Sequence, residues 1–85
     1  MRFRFSLSHQ VTMRELRTAR EAAGYSQRDL SELMKRPKTY VYLVERGNRM
    51  LNLSEFLEFC YQVDADPVEM VARIVKASAR PRRRK

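Results

Sequence analysis

The sequence predicts an all-α domain, and three observations support this fold class. Apolar residues recur at helical spacing in several separate stretches of the chain. Residues suited to helix N-caps stand before these stretches. In the middle of the chain, Pro37 and Gly47 stand where a helix commonly begins and ends. Because 85 residues form one small domain with a single core, we expect one unit of five helices.

The first helix is predicted over residues 13–23. Thr12 and Glu15 have the spacing of a capping box, in which each side chain pairs with the other residue's backbone N–H. The predicted inner face consists of Met13, Leu16, Ala19 and Ala23.

A second helix is predicted from Gln27 to about Met34. The hydroxyl of Ser26 can accept a hydrogen bond from the backbone N–H of Asp29, which makes Ser26 its N-cap. The apolar stripe of this helix consists of Leu30, Leu33 and Met34.

A third helix is predicted from Pro37 to Arg46, after a tight turn. Proline has no backbone N–H and suits the first turn of a helix, so the break falls at Lys35 and Arg36. Val41 and Val44 lie one turn apart and mark the buried face. Gly47 supplies the left-handed residue that ends the helix.

Two more helices complete the prediction. The fourth has a stripe of Leu53, Phe56, Leu57, Cys60 and Tyr61, with Ser54 in its first turn and Asp64 near its end. The fifth runs from Pro67 to about Ala77, because Asp66 suits an N-cap, Pro67 the first helical position, and Glu69 the first turn.

Charge is concentrated over the second and third helices. Residues 26–50 hold six basic and three acidic groups, whereas residues 51–72 hold five acidic groups and no basic one. A generally basic surface that serves solubility does not predict this division, although solvated runs of charge are common. The asymmetry therefore favours a polyanionic partner that faces the second and third helices.

The outward face of the third helix is suited to the major groove of DNA, which admits an α-helix. The predicted base-reading residues are Lys38, Thr39, Tyr42 and Leu43. The predicted phosphate-binding residues are Arg28, Tyr40, Arg46, Asn48 and Arg49. For Tyr40 two interpretations stay open. Its ring can pack on the domain, or its hydroxyl can reach a phosphate. Asn48 can equally belong to an ordinary polar loop.

From about Leu16 to Ile74 the chain resembles the lambda-repressor/Cro-like helix-turn-helix family, called XRE-type, and its small single-domain members. The matching residues are Arg20, Ser26, Gln27, Leu30, Met34, Val41, Val44, Glu45 and Gly47, followed by the segments LNLSEFLEFC and DPVEM. The resemblance implies a five-helix domain whose third helix enters the major groove. It also implies that Gln27 binds a phosphate and that Arg20 and Glu45 form a structural ion pair.

The chain departs from this family at three positions. Lys35 stands where the turn often has glycine, so a left-handed conformation there costs roughly 1 kcal/mol. Ser31 replaces the usual alanine but is small enough to keep the helices close. Asp64 replaces a helix-ending glycine, and aspartate tolerates left-handed backbone better than most residues.

The two ends of the chain lie outside the resemblance. Residues 1–11 form a predicted arm, in which the alternation from Arg2 to Ser8 is typical of a strand. Such a strand must pair with a second chain as a homodimer, lie on the domain, or stay disordered. Residues 78–85 form a basic tail that either strengthens DNA binding or does nothing specific.

Several classes of site are not predicted. The sequence has no apolar run long enough for a bilayer and no secretory signal, so we expect a cytoplasmic, nucleoid-associated protein. Cys60 and His9 are the sole cysteine and histidine, which leaves no disulfide or metal-ligand set. With two glycines there is no phosphate-cradling loop, and we expect neither an enzyme nor a cofactor.

Two functions compete for this sequence. The first is a sequence-specific transcriptional regulator of double-stranded DNA, acting as a dimeric repressor. The second is an antitoxin-like module that uses the same domain and binds a protein partner through the fifth helix and the tail. RNA binding is a weaker third alternative, because the aromatic-rich sheet or glycine loop of common RNA modules is missing.

Overall fold

The computed structural model describes residues 6–79, and the all-α prediction is confirmed in this range. Its five helices are α1 (Leu7–Ala22), α2 (Gln27–Leu33), α3 (Tyr40–Arg46), α4 (Leu53–Gln62) and α5 (Pro67–Ala77). Helix α2 packs against α3, while α1 contacts α3, α4 and α5. The core lies where these helices meet, and its largest fully buried side chains include Leu16, Leu30, Phe59 and Met70.

Helix α1 starts at Leu7, and the predicted start near residue 13 is wrong. Ser6 is the N-cap, since its hydroxyl accepts a hydrogen bond of 3.1 Å from the backbone N–H of His9. Thr12 lies inside the helix and donates to the carbonyl of Ser8 at 2.7 Å, so it does not form the predicted capping box. Val11 is buried in the core, which adds the stabilisation of a hydrophobic contact to this longer helix.

The same boundary corrects the predicted arm. Ser6 caps a helix and residues 7–11 are helical, so the expected strand is wrong for Ser6, Leu7 and Ser8. The rest of the alternating pattern, from Arg2 to Phe5, lies outside the described residues.

Helix α3 starts at Tyr40, three positions after the predicted start at Pro37. Residues 37–39 form a turn in which the backbone N–H of Tyr40 donates to the carbonyl of Pro37 at 2.9 Å. Thr39 occupies the N-cap position without a side-chain cap bond. Lys38 and Thr39 therefore belong to the turn before α3 and not to the helix itself.

Helix α5 has the predicted bounds, and α4 lies where its apolar stripe was predicted, but the buried face of α4 differs. Its buried apolar residues are Phe56, Phe59 and Cys60, and Val63 continues the stripe at the C-cap. Leu53 and Tyr61 are 71% and 64% exposed, because they lie on the flanks of this stripe. Burial raises the pKa of the Cys60 thiol to about 11, as expected for a core residue.

Candidate nucleic-acid interface

The α2–turn–α3 unit is defined by hydrogen bonds at both ends of the turn. Ser26 accepts from the backbone N–H of Asp29 at 2.9 Å, as predicted, and so caps α2. Lys35 has φ 57°, so it adopts the left-handed conformation that is strained for residues other than glycine. The backbone N–H of Arg36 then returns to the carbonyl of Ser31 at 3.0 Å. Gly47, with φ 87°, ends α3 as predicted.

Ser31 connects α2 to α3. Its hydroxyl donates to the carbonyl of Gln27 at 2.9 Å and accepts from the backbone N–H of Val41 at 3.0 Å. Because Thr39 makes no cap bond, Ser31 satisfies an N–H at the start of α3 from a neighbouring helix. This serine orients α3 against α2, a role that its position in the sequence did not reveal.

The predicted base-reading residues are divided between α3 and the turn before it. Val41 and Val44 are 0% and 2% exposed and hold the helix against the core. Lys38, Thr39 and Tyr42 are exposed, and Leu43 is partly buried. Lys38 and Thr39 thus lie in the turn before α3, and Tyr42 and Leu43 lie on the helix itself.

Tyr42 and Arg46 form a pair one helical turn apart. Arg46 donates to the hydroxyl oxygen of Tyr42 at 2.7 Å, and its guanidinium carbon lies 5.6 Å from the ring centroid. Because the hydroxyl oxygen already accepts this bond, its own O–H remains free to donate to an acceptor. This arrangement presents the O–H of Tyr42 and the remaining N–H donors of Arg46 on the exposed face of α3.

A buried ion pair ties α1 to α3. Arg20 donates to the two carboxylate oxygens of Glu45 at 2.7 and 3.1 Å, and their side chains are 9% and 4% exposed. The hydrogen bond to Glu45 raises the pKa of the Arg20 guanidinium. Arg20 also donates to the carbonyl of Tyr25 at 2.8 Å. The pair holds α1 and α3 together, since removing one partner would leave a buried charge at a cost of about 3 to 5 kcal/mol.

Gln27 joins this ion pair at the N-terminal end of α2. Its side-chain amide donates to Glu45 at 2.8 Å, so its orientation depends on the α1–α3 contact. The role of Gln27 in phosphate binding stays a prediction.

The other predicted phosphate-binding residues are placed differently from one another. Arg28 is exposed and pairs with Glu32 at 3.5 Å along α2. Asn48 is exposed in the loop after α3, where its backbone N–H donates to the carbonyl of Leu43 at 2.9 Å. Arg46 pairs with Tyr42, as described above, and Arg49 lies in the charged cluster described below.

Tyr40 packs in the domain, and its predicted phosphate contact is wrong. The residue is 5% exposed, and its hydroxyl is buried without a hydrogen-bond partner among the described residues. Burial is the main cause that raises the pKa of this phenol. A phosphate cannot reach a hydroxyl that is enclosed in this way.

A charged cluster surrounds Tyr40, and the sequence did not predict it. We call it the Glu55 cluster; its members are Arg36, Tyr40, Arg49, Glu55 and Glu58. Arg49 donates to both oxygens of Glu55 at 2.6 and 3.2 Å, and Arg36 donates to Glu55 at 3.4 Å and to Glu58 at 3.1 Å. The guanidinium carbons of Arg36 and Arg49 lie 5.0 and 5.3 Å from the Tyr40 ring centroid.

Hydrogen bonds within the Glu55 cluster favour the charged forms of Arg36, Arg49 and Glu55. The hydrogen bond from Arg49, followed by the backbone N–H of Asn52, lowers the pKa of Glu55. Hydrogen bonds to Glu55 and Glu58 raise the pKa of Arg49 and Arg36 respectively. The spacing of Asn52 and Glu55 is that of a capping box, and this was the one signal in the sequence that pointed to the cluster.

Between residues 6 and 79, no helix combines the length and apolar character that crossing a bilayer requires. In that range no group of three or more histidine, cysteine, aspartate or glutamate side chains is arranged to hold a metal ion.

Comparison with known proteins identifies the fold family. The model of the helix-turn-helix domain family matches residues 14–77. A solved structure of an XRE-family like protein from Pseudomonas syringae pv. tomato str. DC3000 superimposes with a TM-score of 0.76 at 30% identity, covering 81% of this chain and 84% of that one. Comparison with curated proteins gives no match. Together with the helix-turn-helix geometry, these similarities show that the chain belongs to the XRE-type helix-turn-helix family of DNA-binding regulators.

Proposed function

We propose that this protein is a sequence-specific regulator of transcription that binds double-stranded DNA and acts as a dimeric repressor in the cytoplasm, associated with the nucleoid. It acts by binding and not by catalysis. The main support is the exposed polar side of α3 and its preceding turn, which Val41 and Val44 hold outward from a rigid core. The net charge of +8 adds a general attraction to the phosphate backbone.

Base reading is assigned to four residues of the turn and helix. Lys38 can donate to O6 or N7 of guanine, and Thr39 can bond several base edges or contact a thymine methyl. Tyr42, whose hydroxyl accepts from Arg46, offers its O–H to an acceptor on a base edge. Leu43 supplies an apolar surface for a thymine methyl.

Phosphate contacts are assigned to residues on either side of this reading surface. These residues are Gln27, Arg28, Arg46, Asn48 and Arg49. Contacts of this kind set the register of the protein on the duplex but carry no sequence information directly.

Selection of bound fragments from random duplex DNA tests the reading role. We expect one enriched sequence, and Lys38→Ala should then lose about 1 to 3 kcal/mol of discrimination at one base pair. Lys76→Ala, which removes the same charge from the exposed end of α5, is the matched control and should leave the preference unchanged. Equal losses on selected and random DNA for Lys38→Ala would contradict base reading by this residue.

Dimerisation is supported by the usual geometry of helix-turn-helix operators, whose half-sites lie about 34 Å apart or a multiple of this distance. Light scattering of the full chain should give twice the monomer mass, and the selected site should be symmetric. A chain lacking residues 1–5 keeps the Ser6 cap, so it tests the arm without cutting into α1. A monomer mass for this truncated chain would assign the dimer contact to the arm, and an unchanged mass would place it elsewhere.

The antitoxin-like alternative is favoured by one observation on α5. Val68, Val71 and Val75 are 75%, 43% and 60% exposed and recur at helical spacing, which is an apolar surface that a protein partner can cover. Under this alternative the protein binds DNA only weakly until its partner is present. Tight operator binding by the purified chain would count against it.

A further inference from the structure

The Glu55 cluster brings together two arginines that come from opposite ends of α3. Arg36 directly precedes the turn that contains Lys38, and Arg49 follows Gly47 at the end of the helix. Both guanidinium groups contact the same carboxylate, that of Glu55, at distances of 2.6 to 3.4 Å. One acidic side chain of α4 therefore sets the position of two basic side chains beside the reading surface.

Glu55 is well suited to position other groups because it is itself held in place. The residue is 9% exposed, and its carboxylate accepts from the backbone N–H of Asn52 at 3.0 Å. The side chain of Asn52 in turn accepts from the backbone N–H of Glu55 at 2.8 Å, which completes the capping box of α4. A carboxylate fixed in this way restricts the rotamers of the arginines that bind it.

Tyr40 supplies a flat surface for the same two arginines. Its ring is buried at the start of α3, and both guanidinium groups lie over it at cation–π distances. The hydroxyl makes no hydrogen bond to any residue between 6 and 79, so the contribution of Tyr40 to the cluster is its ring.

The two arginines still have donors to offer. A guanidinium group has five N–H donors. The bonds of Arg36 engage its two terminal nitrogens, while its Nε bonds to none of the residues that the structure describes. Arg49 bonds through its terminal nitrogens to Glu55 and to the carbonyl of Met50. The side chains of Arg36 and Arg49 are 31% and 39% exposed, so solvent and a ligand can reach both.

The two glutamates of the cluster differ in how firmly they are held. The side chain of Glu55 is 11% exposed and is bound by both arginines and by the backbone. The side chain of Glu58 is 41% exposed and, within the described part of the chain, forms one salt bridge, to Arg36. An incoming phosphate can replace Glu58 far more readily than Glu55.

We propose that Arg36 and Arg49 act as one pair of donors to the phosphate backbone of duplex DNA, and that Glu55 is the positioning residue for this pair. Arg36 is thereby added to the phosphate-binding residues, with Glu58 as the carboxylate that a phosphodiester displaces. This inference rests on the DNA binding proposed above. It assigns the cluster to affinity and not to sequence preference, because phosphate contacts do not read bases.

Two substitutions that change the charge equally separate positioning from simple electrostatics. Glu55→Gln and Glu58→Gln each make the chain more positive by one unit, so charge alone predicts tighter binding for both. Positioning predicts opposite results: Glu58→Gln binds random duplex DNA more tightly, whereas Glu55→Gln binds it more weakly. The plot of log affinity against log salt for Glu55→Gln should flatten by about one unit for each arginine that loses its phosphate.

We expect Glu55→Gln to fold, because glutamine also serves at this position of a capping box. Arg36→Gln is the second variant and leaves Glu55 and the cap in place. It should lower affinity for selected and random DNA by the same factor and flatten the salt dependence by about 0.9. Circular dichroism and thermal unfolding show whether each variant is folded.

The outcomes distinguish this inference from the proposed function. If the wild-type chain shows no salt-dependent binding to duplex DNA, the proposed function itself is wrong. If it binds but Glu55→Gln binds more tightly, as Glu58→Gln does, then Glu55 restrains the arginines and the inference is overturned. An unchanged salt dependence for folded Arg36→Gln would also overturn it.

Discussion

Ser31 shows how a single hydroxyl can determine the placement of the reading helix. It is completely buried, and its bonds to Gln27 and Val41 join α2 to α3. Ser31→Ala should lower the free energy of unfolding by about 1 to 3 kcal/mol, because the backbone N–H of Val41 would lose its buried partner. Alanine is the better helix former, so propensity alone predicts the opposite sign. Urea unfolding measures the difference.

Ser54→Ala is the control for that substitution. Ser54 is exposed in the first turn of α4, so its replacement should change stability by about 0.5 kcal/mol or less. A Ser31→Ala protein as stable as the wild type would show that the hydroxyl does not support α3.

Tyr40 has a buried hydroxyl that makes no hydrogen bond among the described residues. Tyr40→Phe keeps the ring under Arg36 and Arg49 but removes the polar group, so it should raise the free energy of unfolding by about 1 kcal/mol. Tyr42→Phe removes an exposed hydroxyl and should have little effect on stability, although it should alter DNA preference. Thermal unfolding of both variants makes the comparison. A loss of stability in Tyr40→Phe would mean that a partner for the hydroxyl exists.

The sequence predicts the role of a residue where that role depends on its near neighbours in the chain. The burial of Val41 and Val44 follows from helical spacing, and the Ser26 cap follows from one local bond. The role of Tyr40 could not be predicted from the sequence, because its environment comes from Glu55 of α4 and from two arginines that flank α3. Contacts between distant positions leave no periodic signal in a single sequence.

The helices themselves were predictable where their caps were unambiguous. Ser26 and the Asp66–Pro67 step place the starts of α2 and α5 correctly, since an N-cap side chain satisfies N–H groups that the helix leaves open. Helix α1 was harder because both Ser6 and Thr12 are residues that cap helices well. The choice between them depends on the core contact of Val11, which the local pattern does not contain.

The turn between α2 and α3 contains a residue whose backbone strain a glycine would remove. Lys35 is left-handed at φ 57°, a conformation that costs L-residues other than glycine, asparagine and aspartate roughly 1 kcal/mol or more. Lys35→Gly should therefore raise the free energy of unfolding by up to about 1 kcal/mol. Asp64, at φ 59°, gives the matched comparison. Asp64→Gly should raise the free energy of unfolding by less, because aspartate already tolerates left-handed backbone.

Chemical denaturation of the two glycine variants tests that order. A loss of stability in Lys35→Gly would show that the lysine side chain contributes more than its backbone conformation costs. Equal gains in the two variants would show that the two residue types pay the same backbone cost.

In the folded molecule, the basic and acidic segments of the sequence are only partly separated onto different faces. Glu55 and Glu58, from the acidic segment 51–72, are bound to Arg36 and Arg49 from the basic segment 26–50. Arg20 and Glu45 are likewise paired inside the domain. The exposed positive charge near α3 therefore comes from fewer residues than the sequence count indicates, chiefly Lys35, Lys38 and Arg46, which form no salt bridge among the described residues.

This reduced charge gives the basic tail a larger expected share in DNA binding. Residues 80–85 lie outside the described residues, but they carry five positive charges, so their removal lowers the formal net charge from +8 to +3. A chain lacking these residues should bind selected and random DNA more weakly by the same factor. The salt dependence should flatten by about 0.9 for each tail charge that contacts a phosphate.

A tail of the same length, in which glutamine replaces each arginine and lysine, separates charge from chain length and should behave like the deletion. Binding of both variants is measured by titration between about 50 and 200 mM salt, where phosphate contacts change affinity most visibly. If the tail is only a solvated end, both variants will keep the wild-type slope. In that case the rest of the chain, including the side chains around α3, must account for the whole electrostatic part of the affinity.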